Sequence, residues 1–421
     1  MTVLPTYSEH SLAGVLPAAA GALGVEFTTA LGWSSTGCAA VLDVPRAAHV
    51  VVVLCDGLGW ENLQAVTGSA PFLRSVLPGA RPLTTTFPAT TASAMATFGT
   101  GAAPGQTGML GYTLRNPRTG GLAGMVSWNE YANPQDAALP GAGKTAPRFT
   151  VEPRDLQREP TVFERLTDAG VTVTSVGPAK FADSGMTLAC LRGGGYVDAH
   201  TLSQRVDATL RSVRAARGRP ALTYLYWGAA DKTGHEHGWR SWQWQAAVGD
   251  FDREMGRLCR SVPPGTVVLL TADHGHMEPE ARLQFDVASV PGLAQDVAMI
   301  AGEPRAVHVY LAAEGGLERG DQGDSGPASD PERIHPCATR WRDVLGENAD
   351  VLTRAEAIAA GWFGPVSPHV LPWMGDLVVA PRGNAIVVDS RTQSADSLAL
   401  KGMHGSLTSA EMTIPLITYA A

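Results

Sequence analysis

His49-Val-Val-Val-Val-Leu-Cys55, followed by Asp56-Gly57, is the stretch from which the fold can be read. It is apolar on both sides and rich in β-branched residues, as strands buried on both faces of a helix-covered parallel sheet are. Working outward, Val171 to Val176, Leu222 to Trp227, Val267 to Thr271 and Leu377 to Ala380 share this character. Helical patterns lie between them, at Thr161 to Ala169 and at Ser241 to Cys259. The latter carries Trp242, Ala246, Val248, Phe251, Met255 and Leu258 along one side. The alternation predicts an α/β fold with a central, mostly parallel sheet flanked by helices.

Three tracts interrupt that alternation, Asn116 to Pro160, Arg282 to Arg305 and Ala313 to Pro336, and the last reads as an exposed, mobile loop. They suggest a small cap inserted at approximately 279–370. Residues 1–45 are expected to pack on the core of a catalytic domain spanning 46–421.

Composition narrows the function. Glycine and proline number 47 and 29 of 421 residues and 44% are hydrophobic, which excludes a mainly disordered chain. The 32 basic residues are scattered and the formal charge is −8, so neither a nucleic-acid groove nor an anionic membrane surface is expected. No apolar run approaches the roughly 18 to 20 residues of a spanning helix. Five widely spaced cysteines without a CxxC pair suit a reducing, cytoplasmic setting. The apolar segment Leu12 to Val25 has no Lys or Arg before it, which argues against a signal peptide.

Chemistry concentrates at four places. Asp56 ends the first strand; Asp231 follows the strand at Leu222 and has His235 four residues on, with Gly234 reading as a turn; Asp273 and His274 end the strand at Val267; His404 lies between glycines. Ligands gather outside the carboxyl ends of strands in open α/β sheets, so these groups would converge. Imidazole with carboxylate suits Zn²⁺ or a similar transition ion, and six such groups suit two ions better than one. The segment Thr84-Thr-Thr-Phe-Pro-Ala-Thr90-Thr91 precedes a short helical pattern, and a threonine in its first turn would meet an anion at a helix N-terminus. Thr91 is the preferred nucleophile, with Thr90 and Thr86 as alternatives. His237 and His276 neighbour these motifs as either orienting or solvent-facing groups, and His308 reads as structural.

The ordered set resembles the alkaline phosphatase superfamily, most closely its nucleotide pyrophosphatase/phosphodiesterase branch, across about Val50 to Leu416. The resemblance implies a two-zinc α/β hydrolase with a threonine nucleophile. In that superfamily the nucleophile stands nine residues before the threonine of a Thr-Gly pair, which here returns from Thr100 to Thr91. Carried over, Asp231, His235 and His404 would hold one zinc, and Asp56, Asp273 and His274 the other, with the Thr91 oxygen on the second ion. Two positions depart from the pattern: Ala94 replaces an asparagine, and Tyr112 stands where a phosphate-binding asparagine is expected. Tyr112 would then bind substrate through its hydroxyl. The implied reaction is hydrolysis of a phosphodiester or nucleotide pyrophosphate bond through a phosphothreonine, on a small phosphate-ester substrate with nucleotides among the candidates. The alternatives are a phosphomonoesterase or phosphonate hydrolase on the same scaffold, and a non-catalytic metal- or nucleotide-binding protein.

Overall fold

The computed structural model describes residues 1–66, 68–312 and 331–421. All seven residues of His49–Cys55 are buried, and this strand lies at the centre of a seven-stranded sheet. The order across the sheet is Arg81–Thr84, Thr413–Ala420, Thr266–Thr271, His49–Cys55, Ala221–Trp227, Thr172–Gly177 and Gly195–Asp198. The last five run parallel, and Thr413–Ala420 is antiparallel to its neighbour Thr266–Thr271. The α/β reading is therefore correct. Two helix groups cover the sheet: Leu202–Ala215 with Trp242–Ser261, and Leu12–Ala22 with Thr91–Thr100 and Val162–Asp168.

Every residue of Leu12–Ala22 is buried, so this apolar stretch is a core helix; it packs against Thr91–Thr100. On Trp242–Ser261 the buried stripe runs through Trp244, Val248, Phe251, Met255 and Leu258. Trp242 and Ala246, expected on that stripe, are exposed, Trp242 to 74%. The Ser241 hydroxyl accepts the Trp244 N–H, which places Trp242 in the first turn, ahead of the buried stripe.

A second, antiparallel sheet is ordered Val297–Glu303, Ala306–Leu311, Leu377–Pro381, Ala349–Thr353. The strand at Leu377, expected in the parallel sheet, thus belongs here. Leu377 and Val379 face a cluster with Val307, Val309 and Trp341, while Val378 and Ala380 face the main core. Burial on both sides makes it as apolar as a parallel strand, which is why composition could not tell the two apart. The tract from Asn116 holds parts of a three-stranded sheet, Thr113–Arg115, Leu122–Gly124 and Asn129–Tyr131. Of the tract expected as a loop at Ala313 to Pro336, residues 313–330 lie outside the described residues, and the remainder opens the helix Pro331–Leu345. A buried ion pair, Arg305 to Glu411, fastens the second sheet to the segment after His404, with Nε–Oε1 at 3.0 Å and Nη2–Oε2 at 2.6 Å.

Candidate active site

Register explains why the distant residues meet. Cys55 pairs with Trp227 and Leu54 with Thr271, so three adjacent strands end at one level. Asp56 emerges there with its N–H bonded to Trp227 O, and Asp273 and His274 emerge two and three residues beyond Thr271. Asp231 and His235 sit one turn apart on the helix Ala229–His237. Gly234, expected to make a turn, is inside that helix. A Cβ there would lie 2.9 Å from His276 Nε2, so the glycine is required for packing. His404 arrives on a loop tied to the opposite segment by paired Met277 and Met403 backbone bonds. Thr91 is the first residue of Thr91–Thr100, behind Thr90 at the N-cap.

The centre of the site is His274 Nε2. It lies 3.3 Å from Thr91 Oγ1, 3.4 Å from Asp56 Oδ1 and 3.4 Å from Asp273 Oδ2. A second knot forms around Asp231 Oδ1, 3.3 Å from His235 Nε2 and 3.7 Å from His404 Nε2, with those two nitrogens 3.2 Å apart. The rings of His274 and His404 stack at 3.6 Å and join the two knots. Asp56, Asp273 and His274 form one group able to hold a metal ion, and Asp231, His274 and His404 another.

A test of fit comes from the hydrogen bonds. His235 Nδ1 faces Gly402 O at 2.7 Å, His404 Nδ1 faces Ala89 O at 2.9 Å, and His274 Nδ1 faces Gly275 O at 3.2 Å. A carbonyl can only accept, so each Nδ1 carries a proton and each Nε2 is turned inward. Asp56 Oδ1 and Asp273 Oδ2 are buried without a hydrogen-bond partner. Burial, then Asp273 and Asp231, push Asp56 well above the usual carboxylate range. Burial, then His274 and His235, hold His404 well below an ordinary imidazole. Imidazole nitrogens and carboxylate oxygens thus crowd together, with Asp56 Oδ1 and Asp273 Oδ2 lacking any donor, and a cation would satisfy them. The residues fit a metal centre.

Three further groups orient these. The Tyr226 hydroxyl donates to Asp56 Oδ2, leaving Oδ1 inward. His276 is fully buried, its Nε2 3.0 Å from Asp231 Oδ1, and Asn62 clamps its backbone at both N–H and C=O. Gly57, at φ +72°, leaves room for that ring, since a Cβ would approach Nε2 to 2.7 Å. His237 is exposed beside Glu236. Of the alternative nucleophiles, Thr86 donates to Pro88 O at 2.7 Å and does not line the cavity, and the Thr90 hydroxyl lies alongside Glu303.

The site opens into a cavity of about 960 Å³ lined by Thr91, Tyr112, Tyr131, Phe181, Tyr226 and Glu303, among others. The Tyr112 side chain is 50% exposed on this wall, and its backbone N–H donates to Glu303 Oε2 at 2.9 Å. Glu303 carries no motif in the sequence, and only the second sheet brings it here. His308 is buried in that sheet, as a structural reading requires, between Leu110 O and the Gly375 N–H.

A parallel sheet delivering carboxylates and imidazoles to a threonine at a helix N-terminus defines an alkaline-phosphatase-like scaffold. The chain belongs to the type I phosphodiesterase / nucleotide pyrophosphatase family, whose model matches residues 50–407. Among solved structures, murine ectonucleotide pyrophosphatase / phosphodiesterase 5 is similar at TM-score 0.62 and 15% identity, covering 87% of each chain. Phosphonoacetate hydrolase from Sinorhizobium meliloti 1021 is similar at TM-score 0.63 and 19% identity, covering 94% of this chain and 93% of that one. A phosphopentomutase of Rhizobium meliloti is 33% identical over 130 residues. The chain matches only 28% of the length of that curated relative. Among the described residues, no helix is long and apolar enough to cross a membrane.

Proposed function

We propose that this chain is a hydrolase of phosphodiester or nucleotide pyrophosphate bonds, with Thr91 as nucleophile and two zinc ions as cofactors. The observation that carries the reading is the position of Thr91 Oγ1, at a helix N-terminus and 3.3 Å from the imidazole nitrogen that also meets Asp56 and Asp273. Asp56, Asp273 and His274 would hold one ion, and Asp231, His235 and His404 the other. Bound zinc would supply Lewis-acid charge and favour a deprotonated hydroxyl. The chain's own groups do the rest. The unpaired N–H groups of the first turn of Thr91–Thr100 face the phosphoryl oxygens. Thr91 Oγ1 loses its proton to solvent and attacks phosphorus, the bond to the leaving oxygen breaks, and that oxygen takes up a proton. Water then attacks the phosphothreonine, releasing the phosphoryl product and restoring the hydroxyl. The cavity receives the leaving group, and the Tyr112 hydroxyl on its wall is our assignment for a substrate contact. Five free, buried cysteines support a reducing compartment such as the cytoplasm.

Phosphonate hydrolysis is the second reading, favoured by the 94% coverage of the match to the phosphonoacetate hydrolase. Turnover of bis(p-nitrophenyl) phosphate, p-nitrophenyl phosphate and phosphonoacetate by zinc-loaded protein separates the readings. Diester turnover should dominate, and Thr91→Ala should lower it about 10³-fold or more while the fold and zinc content persist. A fully active Thr91→Ala protein would remove Thr91 from the chemistry.

A further inference from the structure

The second sheet places one ionisable side chain in the cavity for which the proposed reaction has no use. Glu303 ends the strand Val297–Glu303, is 7% exposed, and shares the cavity wall with Asp56, Thr91 and Tyr112. Its Oε2 accepts the Tyr112 N–H and the Thr90 hydroxyl lies alongside the carboxyl group, but Oε1 is buried with no partner in hydrogen-bond geometry among the described residues. Nearby cations are committed elsewhere. Arg305, two residues on, is bidentate to Glu411. On the cavity wall Lys232 is paired with Glu236 at 3.8 Å, and Lys180 lies over the Phe181 ring.

A buried carboxyl oxygen without a donor is unfavourable, and a ligand that brings a donor gains from satisfying it. Burial already pushes the group up to about 8, against the Thr90 hydroxyl and the Tyr112 N–H and with a contribution from Glu411. A cationic donor would reverse that by favouring the carboxylate. A substrate at Thr91 has Glu303 beside it, because Thr90 touches both regions.

Resting on the phosphodiesterase reading, we propose that Glu303 determines specificity by accepting a hydrogen bond from a primary ammonium on the group attached to the phosphorus. The substrate class is thus an aminoalkyl phosphodiester.

The test is a matched pair of esters, p-nitrophenyl 2-aminoethyl phosphate and p-nitrophenyl propyl phosphate, which differ in an ammonium for a methyl. Full-length, zinc-loaded protein should favour the aminoethyl ester in kcat/KM by about tenfold or more. Glu303→Gln and Glu303→Ala should bring that ratio to within about twofold of one. A wild-type ratio near one, or a ratio that survives Glu303→Ala, overturns the assignment. Should either variant fail to fold, the wild-type ratio still decides. Turnover of both esters at equal rates removes only the Glu303 role; turnover of neither removes the phosphodiesterase reading along with it.

Discussion

Asp231 shows how much one oxygen atom is asked to do. Its Oδ1 meets His276 at 3.0 Å, His235 at 3.3 Å and His404 at 3.7 Å. Burial raises this carboxyl, yet His235 and His276 outweigh burial and hold it well below the usual range. His276 has its backbone clamped by Asn62, so its ring fixes where Asp231 points. Removing such a partner typically weakens metal binding 10- to 100-fold. His276→Ala should therefore weaken zinc binding by about that factor in a competition titration, and unchanged affinity would assign the ring to packing alone. The candidate metal-binding residues were legible because they lie shortly after apolar strands or between glycines. Tyr226 and Glu303 were not, since a tyrosine inside an apolar strand and a glutamate in a long irregular tract announce nothing until the fold brings them to Asp56 and Thr90.

At the level of the element, Gly234 sets two preferences against each other. Alanine inside a helix is favoured over glycine by about 1 kcal/mol. In the helix Ala229–His237, however, the added methyl would stand 2.9 Å from His276 Nε2. Gly234→Ala should lower the melting temperature and weaken zinc binding, and a stabilised variant with full affinity would show that the ring moves freely. The strand Ala306–Leu311 supplies a pH-dependent contact. Its His308 bonds Leu110 O through Nε2 and the Gly375 N–H through Nδ1, which only the neutral ring can do, and burial lowers its pKa to about 4. Above pH 6.5 both folded and unfolded forms are neutral and nothing is lost. As pH falls from 6.5 toward 4 the unfolded chain takes a proton that the native one refuses, so stability declines by about 1.4 kcal/mol per unit, to about 3 kcal/mol. Urea unfolding of wild type and His308→Gln between pH 7.5 and 4.5 should differ by that slope, and parallel curves would exclude it. Its alternating neighbours Val307 and Val309 made the strand readable, and its partners lie 67 and 198 residues away.

For the whole molecule, the site is a place where the fold tolerates Asp56, Asp231 and Asp273 together in low dielectric. A bound cation should therefore stabilise the native state. At a free zinc concentration of 100 times the dissociation constant the gain is about 2.7 kcal/mol per site. Zinc added to chelator-stripped protein should raise the melting temperature, Asp56→Asn should reduce the rise, and identical curves with and without zinc would exclude a folding-linked site. Local hydrophobic pattern was enough to establish a buried parallel sheet, and strand-end Asp and His were enough to indicate metal chemistry, because burial on both faces and placement after a strand are written in consecutive residues. Which side chains share the pocket depended on the level at which neighbouring strands end, and on a second sheet leaning over Thr91. Those are long-range packing choices: Leu377–Pro381 is apolar on both faces, so its own pattern does not say which sheet it joins, and its pairing between Ala306–Leu311 and Ala349–Thr353 sets one face on each of two cores.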